Sequence, residues 1–309
     1  MKLDTKIKVV GVGGSGNNAV SRMMKYKIKG VELIAINADA QDLQKSRAHK
    51  KIRIGKNLTK GLGAGMNPEV GRLAAEEQRE EIQEALKDTD MIFITGGLGG
   101  GTCSGAGPVV AEIAKKCGAL TLAVVTTPFY FEGLPRMEIA RNSLKRLRAR
   151  VDTLIVISND KLLSILEPKT TVSNAFWICD EILRQAVQGI SDLIVLPGII
   201  NIDFADAKTI MKDSGTAIFG VARAKGPERA KEAARKALNS PLLDISCKGA
   251  KGVLFNVSGG KDISLSEVDE AAKIITQEVS PEAKVIFGAI QDEKLAKGEI
   301  KVTVIATGF

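Results

Sequence analysis

Glycine fills seven of the twelve positions from Gly96 to Gly107 (96, 97, 99, 100, 101, 105 and 107), in the run GGLGGGTCSGAG. An apolar strand-like stretch, residues 91–95, precedes it, and a helix-like stretch, residues 108–115, follows. A glycine-rich turn between strand and helix leaves backbone N–H groups uncovered and lets an anion come close to them. The positive N-terminal end of the following helix adds to that attraction. The chemistry these residues compose is phosphate binding. A second run, Gly11-Val-Gly-Gly-Ser-Gly-Asn-Asn18, also joins a strand-like stretch to a helix-like one and matches GxGxxG. A third, Gly61-Leu-Gly-Ala-Gly-Met-Asn-Pro68, lies between them, and GxxxxGK[ST] is absent.

Taken alone, the run at Gly11 fits an NAD(P)-binding oxidoreductase, with Glu32 or Asp39 as the ribose-binding acid about 20 residues on. A dinucleotide needs one pyrophosphate loop, however. Three glycine segments suit a triphosphate wrapped from several sides. The plainer alternative is that the glycines only make tight turns.

The elements that must position these runs alternate along the first half. Short, nearly continuous apolar runs at residues 7–12, 32–37, 91–95, 121–126 and 153–158 read as strands of a parallel sheet covered on both faces. Helical segments lie between them at residues 18–26, 67–87, 107–116 and 137–148. The order predicts a doubly wound α/β sheet with right-handed crossovers. A long helix fits residues 172–196, with Ala175, Ile178, Cys179, Ile182, Ala186 and Ile190 at helical spacing and Pro197-Gly198 ending it. Beyond it come a short helix after Phe204, helices at 227–238 and 265–278, and strands near 217–224, 252–257, 283–289 and 300–306. The expected organisation is a nucleotide-binding domain (1–171), a central connecting helix (172–198) and a smaller α+β domain (199–309).

The chain has 309 residues, 44% hydrophobic and 26% charged. No apolar run approaches the ~18 residues of a membrane span, and the N-terminus has no signal-peptide core. A cytoplasmic protein without membrane insertion is expected. Cys103, Cys117, Cys179 and Cys247 form no CxxC pair, which excludes a zinc pattern and points to reduced, mostly buried thiols. The net charge is +8, but only 4% of residues are aromatic and no RNA-binding aromatic motif occurs. The basic residues read as spread along the chain. Direct sequence reading of nucleic acid is therefore not expected; a diffuse surface charge, or attraction to an acidic partner, suits the composition better.

The stretch Gly99-Gly-Gly-Thr-Cys-Ser-Gly105 resembles the GGGTG[ST]G signature of the tubulin/FtsZ family. Other segments are similar to the FtsZ branch of that family: the loop at Gly11, Asn37-Ala-Asp-Ala-Gln-Asp-Leu43, Gly61 to Gly71, Pro128-Phe-Tyr-Phe-Glu-Gly133 with Arg136, Gln185-Ala-Val-Gln-Gly-Ile190, and Asn201-Ile-Asp-Phe-Ala-Asp206. The likeness runs from about residue 8 to 309. It implies a GTPase of cell division that assembles head to tail into protofilaments of a mid-cell ring, in contact with division-ring proteins. Gly14, Ser15, Gly16, Asn17, Asn18 and Gly65 are then nucleotide contacts. Gly99, Gly100, Gly101, Thr102, Cys103, Ser104 and Gly105 form the phosphate loop. Glu132 and Arg136 lie toward the ribose, with Phe176 on the same ligand. Asp180 is expected to recognise guanine, since a carboxylate accepts from the ring N–H and the amino group together; Glu181 is the alternative. Mg²⁺, held mainly by phosphates and water, is the implied metal, with K⁺ beside it. Asp203, Asp206 and Asn201 are implied to act on the GTP of the adjacent subunit. Judged without the resemblance, Asp203 or Asp206 is a helix cap. A non-hydrolysing nucleotide-binding filament protein is the remaining alternative.

Two departures stand out. Cys103 replaces a usual glycine, so either a left-handed backbone is strained there or a thiol at a helix N-terminus has a lowered pKa, with turnover slowed or oxidation-sensitive. The sequence also stops at Phe309, where the family's globular core ends, so polymerisation without a membrane-docking tail is expected.

Overall fold

Continuous apolar runs become strands buried on both faces, and the side chains of Val9, Val10, Ile34, Ile36, Phe93, Ile94, Val124 and Val125 are wholly shielded from solvent. A computed structural model of the chain describes residues 5–26, 28, 30–163, 166, 169–196, 198–240, 247–293 and 295–309. The chain divides into two units, Met1–Gln188 and Gly189–Phe309.

In the first unit, strands β1 (Ile7–Val12), β2 (Val31–Asn37), β3 (Lys50–Arg53), β4 (Met91–Gly97), β5 (Leu120–Thr127) and β6 (Thr153–Ser158) pair in the order β3-β2-β1-β4-β5-β6. All five pairings are parallel. Helices α1 (Gly13–Tyr26), α2 (Ala40–Lys45), α3 (Pro68–Glu77), α4 (Arg79–Leu86), α5 (Gly101–Lys116), α6 (Leu134–Arg148) and α7 (Asn159–Leu163) connect them. The chain winds outward from β1 in one direction to β3 and from β4 in the other to β6. The topological switch point therefore lies between β1 and β4, where ligands bind in such sheets. Gly11 pairs with Thr95 there, so the two glycine runs leave adjacent strands side by side.

Helix α8 (Val172–Val195) runs across the division between the units. Pro197, expected to end it, lies outside the described residues. In the second unit β7 (Gly215–Lys225), β10 (Glu299–Thr307), β8 (Gly252–Gly259) and β9 (Lys284–Gln291) form a mixed sheet in that order. β10 is antiparallel to both β7 and β8, and β8 is parallel to β9. Helices α10 (Arg229–Leu238) and α11 (Leu265–Gln277) cover a core of Val253, Phe255, Val257, Ala233, Ala237 and Ile275. The short α9 (Phe204–Met211) opens this unit's first connection.

Three expectations change. The helices after the glycine runs start at Gly13 and Gly101, not at 18 and 107. Glycine disfavours a helix interior by about 1 kcal/mol relative to alanine, but close packing overrides that preference. A Cβ on Gly16 would stand 2.5 Å from the Thr95 carbonyl oxygen, and one on Gly101 2.8 Å from the Asn67 nitrogen. The single helix expected over 67–87 breaks at Gln78, whose φ of −107° and ψ of 25° leave the helix while its side chain accepts from the Gly55 N–H. β3 was not expected, because Lys50-Lys-Ile-Arg53 offers one apolar residue among three cations.

Candidate functional site

α1 follows β1 with no intervening residue, and α5 follows β4 after three. The first backbone N–H groups of a helix have no intrahelical partner. Two such sets face the switch point, and their packing holds them together. A Cβ on Gly13 would meet the Cys103 nitrogen at 3.3 Å, so the first turns of the two helices touch. Gly14 and Asn18 are exposed, Ser15 and Thr102 half-buried, and Gly100 and Gly65 have no atom within 4 Å of where a Cβ would stand. This open space over bare backbone is where an anion can reach the donors.

Other glycines of the run serve packing. A Cβ on Gly105 would collide with the Pro68 carbonyl oxygen, and one on Gly71 with that of Gly101. α3 and the segment before it therefore lie directly on the first turn of α5. That segment is wound tightly, with positive φ at Gly61, Gly63 and Gly65, where glycine adopts it freely, and at Lys60 and Met66, where it is strained. Ser104 closes the loop between β4 and α5 by accepting from the Gly99 N–H at 3.0 Å. Pro108, inside α5, cannot donate to the Ser104 carbonyl. The Ser143 hydroxyl donates to it instead, at 2.9 Å.

Cys103 corrects the sequence expectation on both counts. Its φ is not positive, so no strain arises there. Its side chain is buried in the core beside Gly96, and burial pushes the thiol up to about 12. The helix end does not make this thiol reactive; only its backbone faces the cradle.

Alongside α1, from its first turn to Arg22, Asp180 on α8 is 6% exposed. It accepts from the Ser15 hydroxyl at 3.3 Å and faces the Arg22 guanidinium at 3.5 Å. Burial raises its pKa from 3.8 to about 6, against the pull of Arg22 and Ser15. Glu181 is instead committed along its own helix, to Arg184 at 2.5 Å and Gln185 at 3.1 Å. Arg22 also lies 5.1 Å from the Trp177 ring centre, a cation–π contact. On the β5 side, Glu132 pairs with Arg136 at 2.7 Å and accepts from the Phe129 N–H. Phe176 meets Phe129 edge-on at 5.2 Å.

In the first unit the buried polar side-chain atoms with no partner among the described residues are both of Asn17, Arg22 Nε, the Thr95 hydroxyl and the Asn159 carbonyl oxygen; Asn256 Oδ1 is the one in the second unit. A buried polar group left unpaired costs about 1–3 kcal/mol, so such groups mark where a polar ligand belongs. Asn159 was missed by the sequence reading. The signal was present: a polar residue right after β6, at the carboxyl end of a parallel strand. Glu32, one dinucleotide candidate, sits at the opposite end of β2 in an ion pair with Lys8 at 3.4 Å. Asp39, the other, caps α2.

In the second unit, Asp203 is the N-cap of α9, accepting from the Asp206 N–H at 2.7 Å. Asn201 accepts from the Gly198 N–H at 2.6 Å. The half-buried Asp206 carboxylate has no hydrogen-bond or ion-pair partner among the described residues.

A doubly wound sheet with helix N-termini paired at its switch point, and no Walker loop, defines a nucleotide-binding α/β protein of unusual cradle type. Residues 6–167 match the family model of the tubulin/FtsZ GTPase domain, and residues 215–309 that of the FtsZ C-terminal domain. The structure is similar to the empty FtsZ dimer of M. jannaschii, with 48% identity, TM-score 0.95, and 100% of this chain and 89% of that one covered. It is similar also to the W319Y mutant of M. jannaschii FtsZ, with 49% identity, TM-score 0.94 and coverage of 99% and 91%. CetZ2 from Haloferax volcanii, in a GTPγS-bound protofilament, shares the fold at 22% identity and TM-score 0.83, with 98% and 92% covered. The chain belongs to the tubulin/FtsZ family, in its FtsZ branch, and is a GTPase that binds GTP and GDP. The oxidoreductase reading is thereby set aside. Among the described residues no helix is long and apolar enough to cross a membrane.

Proposed function

We propose that this GTPase assembles head to tail into protofilaments of a mid-cell division ring in the cytoplasm, and that GTP is hydrolysed between subunits. The observation that carries the reading is a cradle without a base. Residues 11–18, 61–68 and 96–107 contain no Asp or Glu. The carboxylates around them are engaged: Asp180 with Ser15 and Arg22, Glu132 with Arg136, and Asp42 with Asn37. Phosphoanhydride hydrolysis needs a group that orients the attacking water. Asp206, unpartnered in the second unit and supported by Asp203, is the candidate, acting on a neighbour's nucleotide.

In this reading the α1 and α5 N–H groups bind the phosphates and Asp180 accepts from the guanine edge. Asn17 and Asn159 fill their empty hydrogen-bonding capacity on the nucleotide. Mg²⁺, when bound by phosphate oxygens and water, neutralises charge at the transferred group, with K⁺ as a second cation to test. The rim of the cradle supports an interface: Leu62 is 87% exposed, Tyr130 79% and Leu134 71%. The solved relatives described as a dimer and as a protofilament point the same way. Open head-to-tail contacts give filaments.

GTP-triggered light scattering and phosphate release in one tube, across protein concentrations, test the proposal. Turnover per subunit should rise with concentration. Constant turnover from the most dilute sample upward refutes the shared site, and filaments without phosphate release indicate a structural relative.

A further inference from the structure

The positive charge is not diffuse. From Leu43 to Pro68 the sequence holds seven cations (Lys45, Arg47, Lys50, Lys51, Arg53, Lys56 and Lys60) and no Asp or Glu, against a net charge of +8 for all 309 residues. Three structural facts give this stretch a shape. β3 is the terminal strand of the first unit's sheet, paired with β2 on one side, so its other edge is open. Lys51 and Arg53, two apart on β3, project to the same face, and both are exposed. The Lys51 ammonium donates to the Gln44 carbonyl at 2.8 Å, which brings β3 against the end of α2, where Lys45 and Arg47 are also exposed. None of Lys45, Arg47, Lys51 and Arg53 has a carboxylate within ion-pair distance among the described residues. Elsewhere such pairs are frequent, including Lys56 with Glu81 at 2.7 Å just beyond the strand.

We propose that this edge is a docking site for an extended acidic peptide, which adds a strand to β3 and places carboxylates on Lys51 and Arg53. Lysines on an edge strand by themselves guard against unwanted pairing. A peptide with acids at alternate positions converts that guard into selection, because it satisfies the open backbone and the cations together. Duplex nucleic acid or an anionic membrane would use the cations and leave the backbone edge unpaired. A second copy of this chain fits poorly. Its acid-rich stretch is helical, in α3 and α4, and Glu76, Glu81 and Glu84 there are already paired with Arg79, Lys56 and Lys87.

The test uses a fluorescent peptide alternating glutamate with valine, measured by anisotropy against the whole protein. The comparison arms are the same peptide N-methylated on alternate residues, random-sequence duplex DNA, and phosphatidylglycerol vesicles. The peptide should bind, weaken as salt is raised to about 0.3 M, and slow amide exchange at residues 50–53. Lys51→Gln with Arg53→Gln should reduce its affinity about tenfold. Any one of the following overturns the proposal: no peptide binding, equal binding of the N-methylated peptide, unprotected β3 amides, or binding by DNA or vesicles alone. The N-methylated arm requires no variant, so the answer does not depend on the double substitution folding.

Discussion

Replacing Asp180 with asparagine should make the nucleotide-free protein more stable and its hold on GTP weaker. The carboxyl is pushed from 3.8 to about 6 by burial, with Arg22 and Ser15 only partly offsetting it. That rise corresponds to about 3 kcal/mol between the two protonation states. Asparagine stands in for the neutral carboxyl, so Asp180→Asn should gain about 3 kcal/mol at about pH 7.5, where the folded wild-type group is ionised. The folded form keeps its proton up to about pH 6 and the unfolded form only to 3.8, so wild-type stability falls as pH rises through that window. The advantage of the variant therefore shrinks to about half by pH 5 and nearly vanishes by about pH 4. Urea unfolding followed by the fluorescence of Trp177, the one tryptophan, which lies over Arg22, reads the change beside the site. If Asp180 accepts from guanine as proposed, GTP affinity of the wild type should in turn fall below about pH 6, since protonation removes one acceptor. A variant equally or less stable at about pH 7.5, or an advantage that grows toward acid, refutes the reasoning.

Gly100→Ala and Gly105→Ala should separate two reasons for glycine. The first adds a methyl group to open space and should leave the unfolding midpoint in place while weakening GTP binding, measured by nucleotide titration. The second drives one into the Pro68 carbonyl and should cost more than about 2 kcal/mol of stability. Iodoacetamide on the native protein should label half-buried Cys117 and spare Cys103 until urea is added, as peptide mapping would report; rapid labelling of Cys103 would contradict its burial. Asp203→Ala should lose a cap worth about 1 kcal/mol, whereas Asp203→Asn keeps the cap. If the carboxylate orients water, both lose phosphate release, and Asp206→Ala binds GTP without turning it over. Normal turnover in Asp203→Asn would leave that residue a cap alone.

The strands were legible because a parallel sheet covered on both faces leaves nearly unbroken apolar runs, as in Met91-Ile-Phe-Ile. β3 was not, because it lies at the edge and carries cations where an inner strand carries valine or isoleucine. The cradle proposed for phosphate stands out in the sequence as glycine between strand and helix, but its form was misjudged. The glycines read as turn, yet Gly13, Gly14, Gly16, Gly101, Gly105 and Gly107 are helical, and the missing side chains of Gly16, Gly101 and Gly105 admit Thr95, Asn67 and Pro68. Cys103 was ambiguous because local sequence does not report burial; only the core beside Gly96 decides that its thiol is inert. Asn159 and Arg22 went unnoticed for a related reason. Each gains its meaning from a partner, or the lack of one, far away along the chain.

The two kinds of glycine in the run carry different histories under mutation. At Gly105 a substitution is removed because the chain no longer packs, whatever it binds. At Gly100 the backbone is not left-handed and the fold would accept a methyl group, so a ligand over it is what a substitution would disturb. A descendant that gave up its nucleotide would be expected to lose Gly100 first and keep Gly105. The same short run thus holds a record of whether a relative still binds what this cradle was shaped around.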